Sequence, residues 1–394
     1  MKIGCLMAFG KPEIIYGGGP AFEKTFIERL RKKGHKVMTF HSCSEKLKEI
    51  SELSSILTAA SLSQHLHKAK KCSVLYATNC SGISYLDQEI PLVNVFHGTN
   101  NGILKIIGQT PNSPGLEEKD IWEKYAKEIE NLNIRSEYLE RKHRENIALV
   151  ENFIAKNSTY LVAVSERLKA EMISYFHLPE DKIIVIENGV TKQWFSAKKV
   201  KCPQCEPYIK KWKSQKKPVL VWAARIGDCE IRFKIKGLDR ALEVMSRLDN
   251  VHKVVISFTP NPDQYQKLFA SYDVEFISNW PYEHLPHLIK EADIFMQTSR
   301  YEGFGLTLVE AMASSLACVS FPAGVATKVI KNGGNGFLVS NTNEMIEKIN
   351  YLAGSEKGRD KMGKRANLSV KKKYHINTMT EKYLELFKKM KKRK

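Results

Sequence analysis

The stretch richest in potential chemistry runs Arg300-Tyr-Glu302-Gly-Phe-Gly-Leu-Thr-Leu-Val-Glu310-Ala-Met-Ala and holds two carboxylates with seven residues between them. Residues 292–297 just before it, Ala-Asp-Ile-Phe-Met-Gln, read as a short apolar strand. A Gly-Phe-Gly turn follows, and from Gly303 the pattern turns helical. Strand, glycine turn and helix make an anion site, because free backbone N–H groups and the positive end of the helix dipole face the crevice. Gly303, Phe304, Gly305 and Leu306 form the edge of that site. Glycine costs about 1 kcal/mol relative to alanine at a helix edge, so two in three residues point to close backbone approach. Glu302 on the turn is placed to accept hydrogen bonds from hydroxyls beside the anion. Glu310, expected two turns into the helix, is placed to do the same further along the ligand. A phosphate flanked by hydroxyl-rich groups describes a nucleotide sugar.

Other residues of the right type lie at strand ends. Arg225 follows an apolar strand, and Lys236-Gly237-Leu-Asp opens the next helix. A bidentate Arg and a point-charge Lys there would neutralise a diphosphate without a metal. Residues 226–235 separate the two, which leaves Lys234 or Arg232 as substitutes for Lys236, although the Gly237-Leu-Asp that follows favours Lys236. Gly17-Gly18-Gly19-Pro20 separates the first strand from the first helix but lacks the G-x-G-x-x-G spacing of a dinucleotide fingerprint. His97-Gly98-Thr99 ends another strand, where a packed or capping role competes with a functional one. Ser165 before Glu166 reads first as a helix N-cap.

These residues need a scaffold of two α/β halves. In the first half, strand signals fall at 3–8, 36–40, 74–77, 92–96, 160–164 and 182–186, with helices at 21–31, 53–69 and 167–176. A long helical segment spans 117–155. The loop 108–115 before it is suited to cover an acceptor. The second half restarts with strands at 219–224, 253–258, 274–277, 294–297 and 317–321, separated by helices at 238–248, 284–291 and 307–314. Strand–helix alternation argues for parallel, doubly wound sheets. Residues 1–190 are therefore expected to form one Rossmann-like domain, 191–217 a Lys-rich linker, and 218–375 a second Rossmann-like domain. A final helix from about residue 378 and a basic tail complete the chain.

With 394 residues the chain exceeds one ordinary core, and 43% hydrophobic against 27% charged residues exclude a disordered protein. No apolar run reaches the roughly 20 residues of a membrane span. Met1-Lys-Ile-Gly-Cys-Leu-Met reads as a first strand rather than a signal peptide, and the eight scattered Cys read as reduced thiols. Both readings favour the cytoplasm. Cys202-Pro-Gln-Cys205 lacks a second ligand pair, so it reads as a surface loop and no metal is expected. The formal charge of +19 calls for an anionic partner. No nucleic-acid motif accompanies it, which leaves a phosphate-bearing substrate or an anionic membrane face. The tail from Lys388 to Lys394 suits peripheral docking on the inner membrane face at about 1 kcal/mol per basic group, or equally a basic helix C-terminus.

The segment from Glu302 to Val339 resembles the signature region of family-four glycosyltransferases, retaining nucleotide-sugar enzymes of GT-B fold. The likeness includes Ala311-Met-Ala, the strand 317–321 and Asn335-Gly-Phe-Leu-Val. Ser315 departs from the pattern where Gly is usual, and Thr327-Lys328 lies where a Gly-Gly-x-x-Glu segment ends in an acid. The resemblance implies two Rossmann-like domains facing across a cleft, residues 1–190 binding the acceptor and 218–375 the nucleotide sugar, and a C-terminal helix, within 376–394, that crosses back to the first. It also implies roles: Glu302 orients the donor sugar and Glu310 holds the ribose. Arg225 and Lys236 stabilise the departing diphosphate, and His97 contacts the sugar from the opposite domain. Gly18 and Gly19 approach the donor phosphate, and Asn188-Gly189-Val190 forms the hinge. No cofactor is implied beyond the donor, for which a UDP-sugar is favoured, and a glycan or lipid-linked acceptor would place the chain in polysaccharide biosynthesis. A GT-B nucleotide-sugar epimerase and a non-catalytic nucleotide-sugar-binding scaffold remain the alternatives.

Overall fold

The computed structural model describes residues 1–7, 18–42, 54–108, 119–130, 132, 137–196, 202–226 and 229–392. Two six-stranded parallel sheets organise them. The first has the order β2-β1-β3-β4-β5-β6, with β1 (Lys2–Met7), β2 (Lys36–His41), β3 (Val74–Thr78), β4 (Leu92–Phe96), β5 (Tyr160–Ala163) and β6 (Ile183–Val185). The second has the order β12-β11-β10-β7-β8-β9, with β7 (Val219–Ala223), β8 (His252–Ser257), β9 (Val274–Ser278), β10 (Ile294–Gln297), β11 (Ala317–Ser320) and β12 (Phe337–Leu338). The central strands β3, β4, β10 and β11 are buried at every position. This is what sheets covered by helices on both faces require of their sequence. The winding reverses between β1 and β3 in one sheet and between β7 and β10 in the other. At such switch points ligands lodge beyond the carboxyl ends of the strands.

Several elements differ from expectation. The helix expected over 53–69 is divided into Ser54–Ala60, a 3-10 turn Ser61–His65 and Leu66–Ala69. The long segment 117–155 forms two helices, Lys119–Glu130 and Glu137–Asn157. The interval between Arg225 and Lys236 contributes the helix Glu230–Lys236, and the linker interval contains Lys192–Phe195 and Glu206–Ser214. Cys202 and Cys205 are buried rather than on a surface loop, because Glu206–Ser214 packs down through Trp212 and draws them inward. Loop 109–115 lies outside the described residues.

The C-terminal helix Ile376–Lys392 crosses back onto the first sheet, where the Tyr383 ring packs 4.9 Å from that of Phe26 and 5.7 Å from that of Tyr76. Beside it, Val190 donates to the Tyr374 carbonyl at 2.7 Å and accepts from the Ile376 N–H at 2.9 Å. Gly189 permits this approach, since a Cβ there would lie 2.7 Å from the Ile376 Cα. Among the described residues, no helix is long and apolar enough to cross a membrane.

Candidate active site

The β7/β10 switch point brings Lys236 to Glu302, with Nζ 2.6 Å from Oε1. Ser299 Oγ donates to the same carboxylate oxygen at 2.8 Å. The Lys236 and Glu302 side chains keep 25% and 15% exposure, so the pair is held in place yet reachable.

Backbone geometry forces this meeting. Gly237 takes φ +65° at the end of the helix Glu230–Lys236, and a Cβ there would lie 2.2 Å from the Thr298 carbonyl oxygen. Thr298 Oγ1 donates to the Lys236 carbonyl at 2.9 Å and accepts from Trp222 Nε1 at 2.9 Å. Arg300 grips the fully buried Asp239 through two bonds of 2.7 and 2.5 Å, while its own N–H reaches the Ile235 carbonyl at 2.8 Å. A bidentate guanidinium–carboxylate pair fixes orientation as well as distance. The Lys236 turn and the Glu302 loop are thereby one unit.

Gly305, at φ +91°, is the N-cap of the helix Leu306–Ala313. The helix thus begins at Leu306 rather than Gly303, and Glu310 falls in its second turn. The positive φ of Gly305 breaks the helical path that its neighbours alone would have continued. Phe304 is buried against the Tyr374 ring at 5.8 Å, and its carbonyl accepts the Val325 N–H at 2.7 Å. Leu306 is half-buried. Glu310 is buried and accepts the Tyr282 hydroxyl. Burial pushes its carboxyl up to about 8 against the opposing pull of that hydrogen bond.

The first half closes the site from the other side. His97 follows β4; its N–H donates to Asn79 Oδ1 at 3.2 Å, and its ring meets the Phe22 ring edge-on at 5.7 Å. Burial holds the imidazole down at about 4, so it is neutral at pH 7, and Nε2 is enclosed without a partner. The His97 carbonyl faces Gly303, where a Cβ would lie 2.0 Å from the oxygen. Ser165 caps the helix Glu166–Phe176, accepting the Leu168 N–H at 3.1 Å, and it also donates to the Gly303 carbonyl at 2.6 Å. Arg167 Nη1 donates to the Pro322 carbonyl at 2.6 Å.

Family models match both halves: residues 16–194 match Glycosyltransferase Family 4, and residues 209–369 match Glycosyl transferases group 1. The chain belongs to the family that these two models describe. A trehalose synthase of Pyrococcus horikoshii is 24% identical over 263 residues, 63% of this chain and 61% of that one. The chain therefore spans less than two thirds of the length of that curated relative. The solved sucrose-phosphate synthase of Thermosynechococcus elongatus superposes with a TM-score of 0.74 at 13% identity, covering 99% of this chain and 98% of its own. HepE of Anabaena, solved with UDP-glucose, gives a TM-score of 0.68 at 18% identity over 99% of this chain and 100% of its own. The family-four chain accordingly has the GT-B architecture.

Of the residues expected at the family-four site, Glu302 and Lys236 meet directly, while Gly303 joins them to the His97 strand end. Arg225 is exposed just beyond β7, with its guanidinium 5.0 Å above the Phe258 ring. Lys234 pairs with Glu230 at 2.9 Å and lies 4.6 Å above the Trp122 ring. Gly18 and Gly19 open the helix Gly18–Lys32, and a Cβ on Gly19 would meet nothing within 4 Å, so packing does not demand glycine there. Gly17 lies outside the described residues. Among the described residues, no group of three or more His, Cys, Asp or Glu could hold a metal. Lys328 lies 3.4 Å from Glu187, which also receives Lys373 at 2.8 Å and Lys382 at 3.2 Å. Sequence reasoning missed Ser299, Asp239, Tyr282, Tyr301 and Glu171. Asp239 and Tyr301 sit inside quoted motifs and were within reach; nothing marked Glu171.

Proposed function

We propose that this chain is a retaining glycosyltransferase that moves a sugar from a nucleoside diphosphate, with UDP favoured, to an acceptor hydroxyl. The observation that carries the reading is the Lys236–Glu302 pair at the β7/β10 switch point, placed before a helix N-terminus and against the His97 strand end. In this reading the bond between the anomeric carbon and the β-phosphate oxygen breaks while the acceptor oxygen bonds to the same face. The hydroxyl proton passes to the departing phosphate oxygen. Lys236, Arg225 and the free N–H groups of Leu306–Ala313 stabilise the growing negative charge in place of a metal, a contribution commonly worth several kcal/mol. Glu302 orients sugar hydroxyls, Glu310 the ribose, and neutral His97 donates or accepts one hydrogen bond without adding charge. UDP draws support from the UDP-glucose held by HepE. A glycan or lipid-linked acceptor, met at an anionic membrane face, fits the net charge of +19.

The test is diphosphate release from UDP-, GDP-, ADP- and dTDP-sugars by the wild type and Glu302→Ala. Release from one donor that collapses in the variant supports the reading. Absence of both release and thermal stabilisation with every donor would overturn it.

A further inference from the structure

The residue before Glu302 makes a contact that the proposed chemistry leaves unused. Tyr301, from the second half, is buried, and its hydroxyl accepts the Thr99 N–H at 2.8 Å while donating to Glu171 Oε1 at 2.7 Å. Thr99 Oγ1 donates to the same Glu171 oxygen and accepts the Gly102 N–H at 3.0 Å. Thr99, Gly102 and Glu171 all belong to the first half. A Cβ on Gly102 would lie 2.2 Å from Glu171 Oε1 and 2.6 Å from a Tyr301 ring carbon, so glycine leaves the room that the phenol occupies. Burial raises the Glu171 carboxyl while the Thr99 and Tyr301 hydrogen bonds act against that rise. Apolar side chains surround the contact: Ile107 from the first half, with Cys229, Ile231 and Ile235 from the second. In such surroundings a phenol that uses both its donor and its acceptor has no equal replacement by water.

Resting on the transferase reading above, we infer that Tyr301 and Glu171 are positioning residues that register the Glu302 loop on the His97 strand end across the cleft. Tyr301 is one residue from Glu302, and Thr99 is two from His97, so these hydrogen bonds tie the two sugar-facing groups through short stretches of chain, beside the Gly303–His97 backbone contact. Uniform donor binding does not need this register. Only the reaction, which uses groups from both halves at once, depends on it.

Three variants test the inference. Tyr301→Phe removes the hydroxyl, Glu171→Ala removes the acceptor, and Glu171→Gln retains an acceptor oxygen. The expected result is a kcat lowered at least tenfold in Tyr301→Phe and Glu171→Ala, with donor KM within twofold. Glu171→Gln should keep more than half of the turnover. Amide hydrogen exchange of the segment 97–103 should quicken in the first two variants, without any need for turnover. A kcat within twofold of wild type in Tyr301→Phe, equal losses in both Glu171 variants, or unchanged exchange would each overturn the clasp. If the wild type turns over no donor, the transferase reading fails while the exchange arm still decides the clasp. Should Tyr301→Phe fail to fold, the two Glu171 variants decide alone.

Discussion

Gly303→Ala is the sharpest single perturbation of this site. The new Cβ would lie 2.0 Å from the His97 carbonyl oxygen, 2.7 Å from its carbon and 3.0 Å from the Gly98 Cα, all of them backbone atoms that no rotamer change can move aside. Real Cβ atoms essentially never come under 3.0 Å, so the loop and the strand end must part by about 1 Å. A misplacement of about that size costs on the order of 100-fold in turnover, or about 2.7 kcal/mol of barrier. The same overpacking should lower stability by about 1–3 kcal/mol. Gly98→Ala is the internal control, because its Cβ would meet Tyr301 at an ordinary 3.5 Å. Steady-state diphosphate release and thermal melts of both variants read the outcome. If Gly303→Ala turns over within threefold of wild type while Gly98→Ala does the same, the backbone contact does not govern the register and the reasoning fails.

Three further outcomes are expected. The Glu310 carboxyl sits above its unfolded value, so its contribution to stability is complete below pH 4.5 and is lost as pH rises through about 8. Glu310→Gln should flatten that alkaline decline, by at most about 5 kcal/mol, in melts recorded from pH 5 to 9; an unchanged slope would show the carboxyl is not the cause. Burial alone would raise Glu275, but hydrogen bonds from His252, Lys211 and Trp212 hold it down at about 2. Its contribution is therefore present above pH 4.5 and lost as pH falls through 2, and Glu275→Gln should cost about 3 kcal/mol in neutral denaturant titrations and remove much of the acid sensitivity. Gly237→Ala combines a left-handed φ of +65° with a Cβ 2.2 Å from the Thr298 carbonyl, and should destabilise by more than about 2 kcal/mol in the same titrations.

Most of the scaffold was legible because both sheets are parallel and buried. Their strands read as apolar runs bounded by polar residues, and this signal survives without knowledge of the partners. The helix Glu230–Lys236 was not legible, for a specific reason. Its buried residues are Ile231, Phe233 and Ile235, which alternate as in a strand. Ile231 and Ile235 face Ile107 of the first half, while Phe233 enters the core of the second. Two helical faces buried on opposite sides add up to a period of two, and only the tertiary arrangement separates them. The site divides along the same line. Glu302, Lys236 and Gly303 lie in contiguous motifs where spacing carries meaning. Glu171 and Tyr282 reach the site from helix and loop positions whose local sequence is ordinary.

The net charge of +19 also takes on a different meaning once the surroundings of Glu187 are seen. Three lysines converge on the buried Glu187, next to the Asn188-Gly189-Val190 segment: Lys328 from the second half, and Lys373 and Lys382 beside and within the crossing helix. Burial alone would raise the Glu187 carboxyl, yet hydrogen bonds and charge from Lys373 and Lys382 hold it below the usual range. A buried carboxylate this well supplied with cations has no need of an external partner, and removing one lysine leaves two. An acid in place of Lys328 would face Glu187 and Glu166, at 3.4 and 3.8 Å from the present ammonium, so a basic residue suits these surroundings. Part of the basic excess is thus internal, spent on fastening both halves and the crossing helix to one carboxylate at the point where the chain passes between them.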